Sequence, residues 1–194
     1  MAKTGGTQHE PLHEEDVIEI LLRQHERIRE AFIQVRSATG TERRRRFAEL
    51  RALLVAHETA EEMVLRPVSA QVAGAHVADA RNAEEKAANE VLARLDDLDP
   101  TGEEFITLLR QFQEMVLDHA AQEEEHEFPL IEKGRSAHDL ASMGQVLLAV
   151  EKIAPTHPHP STVGSPTLQW AVGPVVSMLD RARDALKAAT RKES

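Results

Sequence analysis

Two segments of the chain, HETAEE from His57 and HAAQEE from His119, each place a histidine four residues ahead of a glutamate. Residues at i and i+4 leave a helix from the same face, so His57 with Glu61 and His119 with Glu123 form two imidazole–carboxylate pairs. A third histidine, His25, interrupts an apolar series made by Ile18, Leu21, Ile28, Phe32 and Val35, and Glu84 interrupts one made by Val77, Ala80, Val91 and Leu95. Imidazole nitrogen combined with carboxylate oxygen suits iron or manganese and, less selectively, zinc. The chain has no cysteine and no tyrosine, which excludes thiolate ligation, thiol catalysis, disulfides and tyrosyl chemistry.

These residues must be carried by helices. Apolar positions recur at spacings of three and four, which predicts an all-α fold. A first helix opens at the capping pattern Asp16-x-x-Glu19, and a second runs from the basic start ERRRRF through Leu50, Leu54, His57 and Glu61, with Pro67 disturbing its end. A third helix follows Gly74 and stops near DLDPTG, with Glu84 inward and Glu85 at the edge of its stripe. A fourth begins at a predicted Thr101-x-x-Glu104 capping box and follows Phe105, Leu109, Phe112, Val116, His119, Glu123, His126 and Leu130. The reading divides the chain into a four-helix bundle over residues 14–132 and a helical extension over 136–194 with a proline-rich connector at 155–166. The extension holds a fifth helix over 137–153 and a sixth over 172–189, whose apolar stripe must face either the bundle or the second subunit of a homodimer.

Short connections make successive helices antiparallel, so residues equally far from a shared loop lie at one height. His25 stands 15 residues before Gly40 and His57 17 after it; Glu84 stands 16 before Pro100 and His119 19 after it. At about 1.5 Å of rise per residue, the members of each pair differ in height by roughly 3 to 5 Å. His25, His57, Glu61, Glu84, His119 and Glu123 therefore converge on one internal layer. An unpaired ion buried there costs several kcal/mol. Because no Lys or Arg falls on the predicted stripes, metal ions are the expected compensation. His126 continues the fourth stripe toward the bundle end as an auxiliary ligand or a capped histidine, Glu58, Glu62 and Glu85 flank the layer as auxiliary ligands or surface carboxylates, and His9, His13, His76, His138, His157 and His159 are assigned to element ends and the connector.

The combination of an isolated histidine on the first helix with HxxxE on the second and on the fourth resembles the hemerythrin-like, or HHE cation-binding, superfamily over residues 14–132. The resemblance implies an up-down-up-down four-helix bundle around a non-haem di-iron centre with oxo or hydroxo bridging. In it His25, His57 and His119 would anchor two Fe ions and Glu61 and Glu123 would bridge them, with Mn or Zn as alternatives. The chain departs from the pattern on the third helix, which reads RNAEEKAANEV with no histidine, and Glu84 is the expected substitute ligand. It also has Arg66 where such proteins often carry tyrosine ahead of the helix 2 proline. Both departures point away from reversible oxygen carriage and toward oxidative chemistry with O2, H2O2 or NO, including a peroxidase- or catalase-like activity. The alternative expectation is an iron or oxygen sensor or store that signals through its C-terminal helix, and the blandest is an interaction bundle without metal.

Charge and composition narrow the partners. A formal net charge of -10 disfavours nucleic-acid backbones. The absence of an apolar signal core near the N-terminus, and of any run long enough to span a membrane, leads to the expectation of a cytoplasmic protein.

Overall fold

The computed structural model describes residues 15–152. The connector at 155–166, the sixth helix, and His9, His13, His157 and His159 lie outside the described residues. Among the described residues the structure is helical without strands: α1 Val17–Ser37, α2 Gly40–Ala60, α3 Arg66–Val72, α4 Ala75–Asp97, α5 Glu103–Gln122, α6 Phe128–Gly134 and α7 Ala137–Glu151. Single π-helical turns, Glu61–Leu65 and Glu123–Glu127, join α2 to α3 and α5 to α6, so each pair is one continuous rod. Four rods, α1, α2–α3, α4 and α5–α6, form an all-α bundle, and α7 packs across α1 and α2 at one end. None of these helices is long and apolar enough to cross a membrane.

The local signals act largely as expected. Asp16 Oδ1 accepts from the backbone N–H groups of Ile18 at 2.9 Å and Glu19 at 3.0 Å, and the Glu19 side chain accepts from Asp16 N–H, which completes the capping box of α1. Gly74, at φ 99°, turns the chain between α3 and α4 through a region that side chains with a Cβ rarely enter. The box expected at Thr101 does not form: Thr101 instead donates to Asp99 from its backbone N–H and its hydroxyl, and α5 starts after Gly102 with no side-chain cap. Pro67 and Pro129 do not end their rods, because each falls in the first turn of α3 or α6, where the missing N–H is tolerated.

Two apolar clusters hold the bundle. The larger gathers Phe32, Phe47, Leu50, Leu54, Leu92, Leu95, Phe105, Leu109 and Phe112 toward the α1–α2 and α4–α5 connections. Phe47 and Phe105 meet edge-on with ring centroids 5.0 Å apart, and Phe32 tilts against Phe112 at 5.7 Å, arrangements that add to simple burial. The second cluster joins Val17, Ile20, Leu21, Leu65, Phe128 and Ile131 to Met143 and Leu147 of α7. His25, His57, Glu61, Glu85, His119 and Glu123 belong to neither cluster, yet all are buried. They form a polar layer of the bundle interior, and α7 contributes to the core that closes it at one end.

Candidate metal centre

The three bundle histidines share one construction. Each ring offers Nδ1 outward to an oxygen acceptor: His25 to Glu124 Oε1 at 2.8 Å, His57 to Gln24 Oε1 at 2.8 Å and His119 to Glu84 Oε2 at 3.0 Å. An oxygen at that position fixes the proton on Nδ1 of the neutral ring, so each Nε2 presents its lone pair to the interior. Arg29 Nη2 in turn donates to Glu124 at 2.8 Å, and Arg81 Nη1 pairs with Glu84 at 2.7 Å, so two of the three imidazoles are held by a carboxylate that is itself anchored by a guanidinium.

The inward atoms meet the carboxylates of the layer. His25 Nε2 lies 3.8 Å from Glu61 Oε1 and 3.6 Å from Glu123 Oε2, and His57 Nε2 lies 3.6 Å from Glu61 Oε1. Across the layer, His119 Nε2 lies 3.4 Å from Glu123 Oε1 and 3.9 Å from Glu85 Oε1. His25 Nε2, His119 Nε2, both oxygens of Glu61, Glu123 Oε2 and Glu58 Oε2 are buried without a hydrogen-bond partner. Buried polar atoms are nearly always partnered, so this concentration of unpartnered ones requires an explanation. Ligand atoms each about 2.1 Å from a shared ion stand about 3.0 to 3.4 Å apart at octahedral or tetrahedral angles. The observed separations are slightly wider and collapse onto that range with small side-chain movements, so the residues fit metal ions. They fall into two groups, His25–His57–Glu61 and Glu58–Glu61–Glu85–His119, which have Glu61 in common.

Electrostatics supports the same reading. Burial lowers the His57 imidazole below its ordinary pKa, which favours the neutral, ligating form. Burial pulls His119 and His25 the same way, but the carboxylates around them, Glu123 and Glu84 for His119 and Glu61, Glu123 and Glu124 for His25, carry both above the ordinary value. The same carboxylates that draw a proton toward those rings are the ones whose charge an ion would balance. Burial, reinforced by Glu61 and Glu123, pushes the Glu58 carboxyl up to about 7, whereas His119, Arg66 and His25 outweigh burial at Glu123 and hold it well below the usual carboxylate range.

The structure brings His25, His57, Glu61, His119 and Glu123 together in one layer, whereas Glu84, Glu85, His126 and the basic residues are not placed as the sequence suggests. Glu84 and Glu85 exchange roles: Glu85 is buried, its side chain 2 % exposed, and faces the layer, whereas the Glu84 side chain is 43 % exposed and reaches only His119 Nδ1 and Arg81. The inward stripe of α4 is Ala78, Arg81, Glu85, Leu92 and Leu95, one residue later than expected over most of its length. A seven-residue frame drawn back from Leu92 and Leu95 would have selected Glu85, but Arg81 on that frame reads as a surface residue. His126 is exposed, and Glu127 takes the inward place, because the π turn adds a residue to the register after Glu123. Glu62 is half-buried and belongs to neither ligand group, while Glu58 belongs to the His119 group.

Finally, basic residues do enter the layer. Arg66 and Arg81 are both buried. Arg66 Nη2 pairs with Glu85 and lies 3.2 Å from Glu123 Oε1, while its Nη1 lies 3.4 Å from Glu127 Oε2. Glu127 is further held by the Ser69 hydroxyl and by Arg81 Nε at 3.4 Å. The π turn that begins at Glu61 rotates everything after it, which brings Arg66 and Ser69 inward where an uninterrupted helix would direct Val68.

Comparison with known proteins agrees with this geometry. A family model for the hemerythrin HHE cation binding domain matches residues 16–131. An uncharacterized hemerythrin-like protein of Schizosaccharomyces pombe is 26 % identical over 137 residues, which cover 69 % of this chain and 68 % of that protein. The crystal structure of a hemerythrin HHE cation binding domain-containing protein from Mycobacterium kansasii superposes with a TM-score of 0.65 at 20 % identity, covering 72 % of this chain and 86 % of the other, and shows a shared fold.

Proposed function

The chain belongs to the hemerythrin HHE cation-binding family, and from that premise we propose that it holds two iron ions in the polar layer and acts on a small oxidant, dioxygen, peroxide or nitric oxide, by oxidative turnover rather than reversible carriage. The observation that carries the reading is the pair of ligand groups joined at Glu61, with buried imidazole Nε2 and carboxylate oxygens that lack protein partners. His25, His57, Glu61 and Glu123 would hold one ion, and His119, Glu58, Glu61, Glu85 and Glu123 the other. Iron bound there supplies electron transfer to and from the oxidant.

The protein's part is to fix ligand charge and orientation. Glu124, Gln24 and Glu84 hold the three rings with Nε2 inward, and the carboxylates outnumber the imidazoles. Hard, anionic oxygen donors stabilise the higher oxidation state of iron, which favours turnover over reversible binding. Phe128, stacked on His25 with ring centroids 5.8 Å apart, and the core of α7 shield the layer from water on one side.

The test is iron per chain after anaerobic reconstitution with Fe(II), followed by peroxide addition under optical observation. Two irons per chain and peroxide consumed well beyond one equivalent per site are expected. One ion or none contradicts the dinuclear assignment. Two ions with less than one equivalent consumed would remove the enzymatic reading in favour of a sensor or store.

A further inference from the structure

The two halves of the layer are built from one repeated pattern, His57-x3-Glu61-x5-Pro67 and His119-x3-Glu123-x5-Pro129. In each copy the glutamate opens a π turn that is closed by the residue before the proline: Arg66 N–H donates to Glu61 C=O, and Phe128 N–H donates to Glu123 C=O. Arg66 and Phe128 therefore occupy equivalent positions in the repeat. Their chemistry is opposite. Phe128 lies flat against His25, with an interplanar angle of 18°, and brings no charge to that side. Arg66 brings a permanent cation to the other side.

The atoms that Arg66 engages are specific. Its Nη2 pairs with Glu85 Oε1 and lies 3.2 Å from Glu123 Oε1. These are the same two oxygens that face His119 Nε2, at 3.9 Å and 3.4 Å. The other Glu123 oxygen, Oε2, faces His25 Nε2 at 3.6 Å and has no hydrogen-bond partner. Arg66 is only 5 % exposed and is also tied to Glu127, which Ser69 and Arg81 hold in turn, so it has no ready route out of the layer.

We propose that the two metal positions are unequal by construction: the His25–His57 position fills first and tightly, and Arg66 makes the His119 position the weaker, second one. The inference rests on the metal-centre reading above. A cation entering beside His119 must share Glu85 and Glu123 with a guanidinium that repels it, whereas a cation beside His25 and His57 meets Glu61 and the unpartnered Glu123 oxygen. The second position has the larger donor group, four residues against three, but two imidazoles serve the first position and one serves the second, and imidazole nitrogen is the donor a borderline cation such as Zn(II) prefers. Arg66 is thus a positioning residue that sets the order and the spread of the two affinities.

The experiment titrates the metal-free full chain with Zn(II) against a competing chromophoric chelator, and follows the histidine ring signals by NMR at each step. In the unmodified protein, two binding steps separated by at least about tenfold, or about 1.4 kcal/mol, are expected. The first equivalent should move the His25 and His57 signals and leave those of His119 in place. Arg66→Gln should tighten the second step by about tenfold or more and leave the first unchanged, while Arg66→Lys, which keeps the charge, should preserve a wide gap. Two equal steps, early movement of the His119 signals, or a second step that weakens in Arg66→Gln would overturn the proposal. The NMR order needs no variant, so it decides the matter even if Arg66→Gln does not fold. Absence of any Zn(II) binding would instead refute the metal-centre reading on which the proposal rests.

Discussion

Replacing Glu85 and Glu84 one at a time by alanine should produce opposite patterns of damage. Glu85 is buried, pairs with Arg66 and turns toward His119 Nε2. Removing one partner of a buried ion pair costs about 3–5 kcal/mol, because the remaining charge is left without compensation. Arg66 keeps Glu123 and Glu127 as partners, so the lower end applies and Glu85→Ala should destabilise the metal-free protein by about 3 kcal/mol. For a domain of this size, that corresponds to a fall in melting temperature of roughly 6–12 °C. Glu85→Ala also deletes a ligand from the His119 group, so loading should fall toward one ion per chain. Glu84 is half in solvent, and an exposed ion pair contributes no more than about 1 kcal/mol. Its bond to His119 Nδ1 orients a ligand ring, and loss of such a bond typically weakens metal binding by about 10–100-fold. Glu84→Ala should therefore keep full stoichiometry at saturating metal, bind more weakly, and melt almost normally once stripped. Metal per chain by elemental analysis and thermal melting in chelator measure both quantities. Loss of an ion in Glu84→Ala together with normal loading in Glu85→Ala would refute the assignment of the α4 face.

The sign of the pH dependence should reverse on metal loading. In the metal-free protein His25, His119 and Glu58 all have pKa values raised by folding, so the stability they contribute is present at low pH and is lost as pH rises, for Glu58 between the ordinary 4.5 and about 7 and for the two imidazoles above the ordinary 6.5; His57, lowered by burial, acts in the opposite sense, and the lowered Glu123 does so only at more acid pH. Metal requires the deprotonated ligands, so the loaded protein should gain stability over the same window, and melting curves at several pH values with and without chelator would show either opposite slopes or, against this reasoning, the same one. Gly144→Ala should lower the melting temperature although alanine favours helices. A Cβ there would stand 2.9 Å from Ile20 Cδ1 and 3.0 Å from the Glu15 carbonyl oxygen, an overpacking that costs about 1–3 kcal/mol, and an unchanged or raised melting temperature would show that α7 can shift away from α1.

The bundle and the family were legible because their signals are local and redundant. The Asp16 and Glu19 cap, the histidine–glutamate spacings and the apolar residues at helical period all survive small errors of phase. The face of α4 was not legible in the same way. Its inward positions include Ala78, Arg81 and Glu85, so hydrophobicity alone favours the neighbouring stripe through Val77, Ala80 and Val91, and only Leu92 with Leu95 marks the true frame. The buried arginines were missed for a related reason: a charged residue is assigned outward by default, and only the surrounding carboxylates make Arg66 and Arg81 acceptable inside.

The π turns account for what a regular helical period leaves out. An α-helix directs every seventh residue to nearly one face, so a regular continuation from Glu123 leads to His126 and Leu130, and from Glu61 to Val64 and Val68. A turn with i→i+5 bonding holds one extra residue, and everything beyond it rotates by about 100°. Proline at the sixth position after each glutamate favours such a turn, since it has no N–H with which to complete the regular bond to the carbonyl four residues before it. The outcome is visible beyond each turn: Glu127 and Ile131 are buried in one rod where His126 and Leu130 are exposed, and Arg66 and Ser69 are buried in the other where Val68 is only half-buried, while Val64, inside the turn, stays inward. Each substitution changes the chemistry of the layer. The extra residue after Glu61 admits a guanidinium and a hydroxyl, and the one after Glu123 turns a fresh carboxylate to meet them, so Arg66, Ser69, Glu127 and Arg81 close into a buried network beside the His119 ligands. The paired histidine–glutamate motifs place the ligands, and the two prolines set which residues surround them.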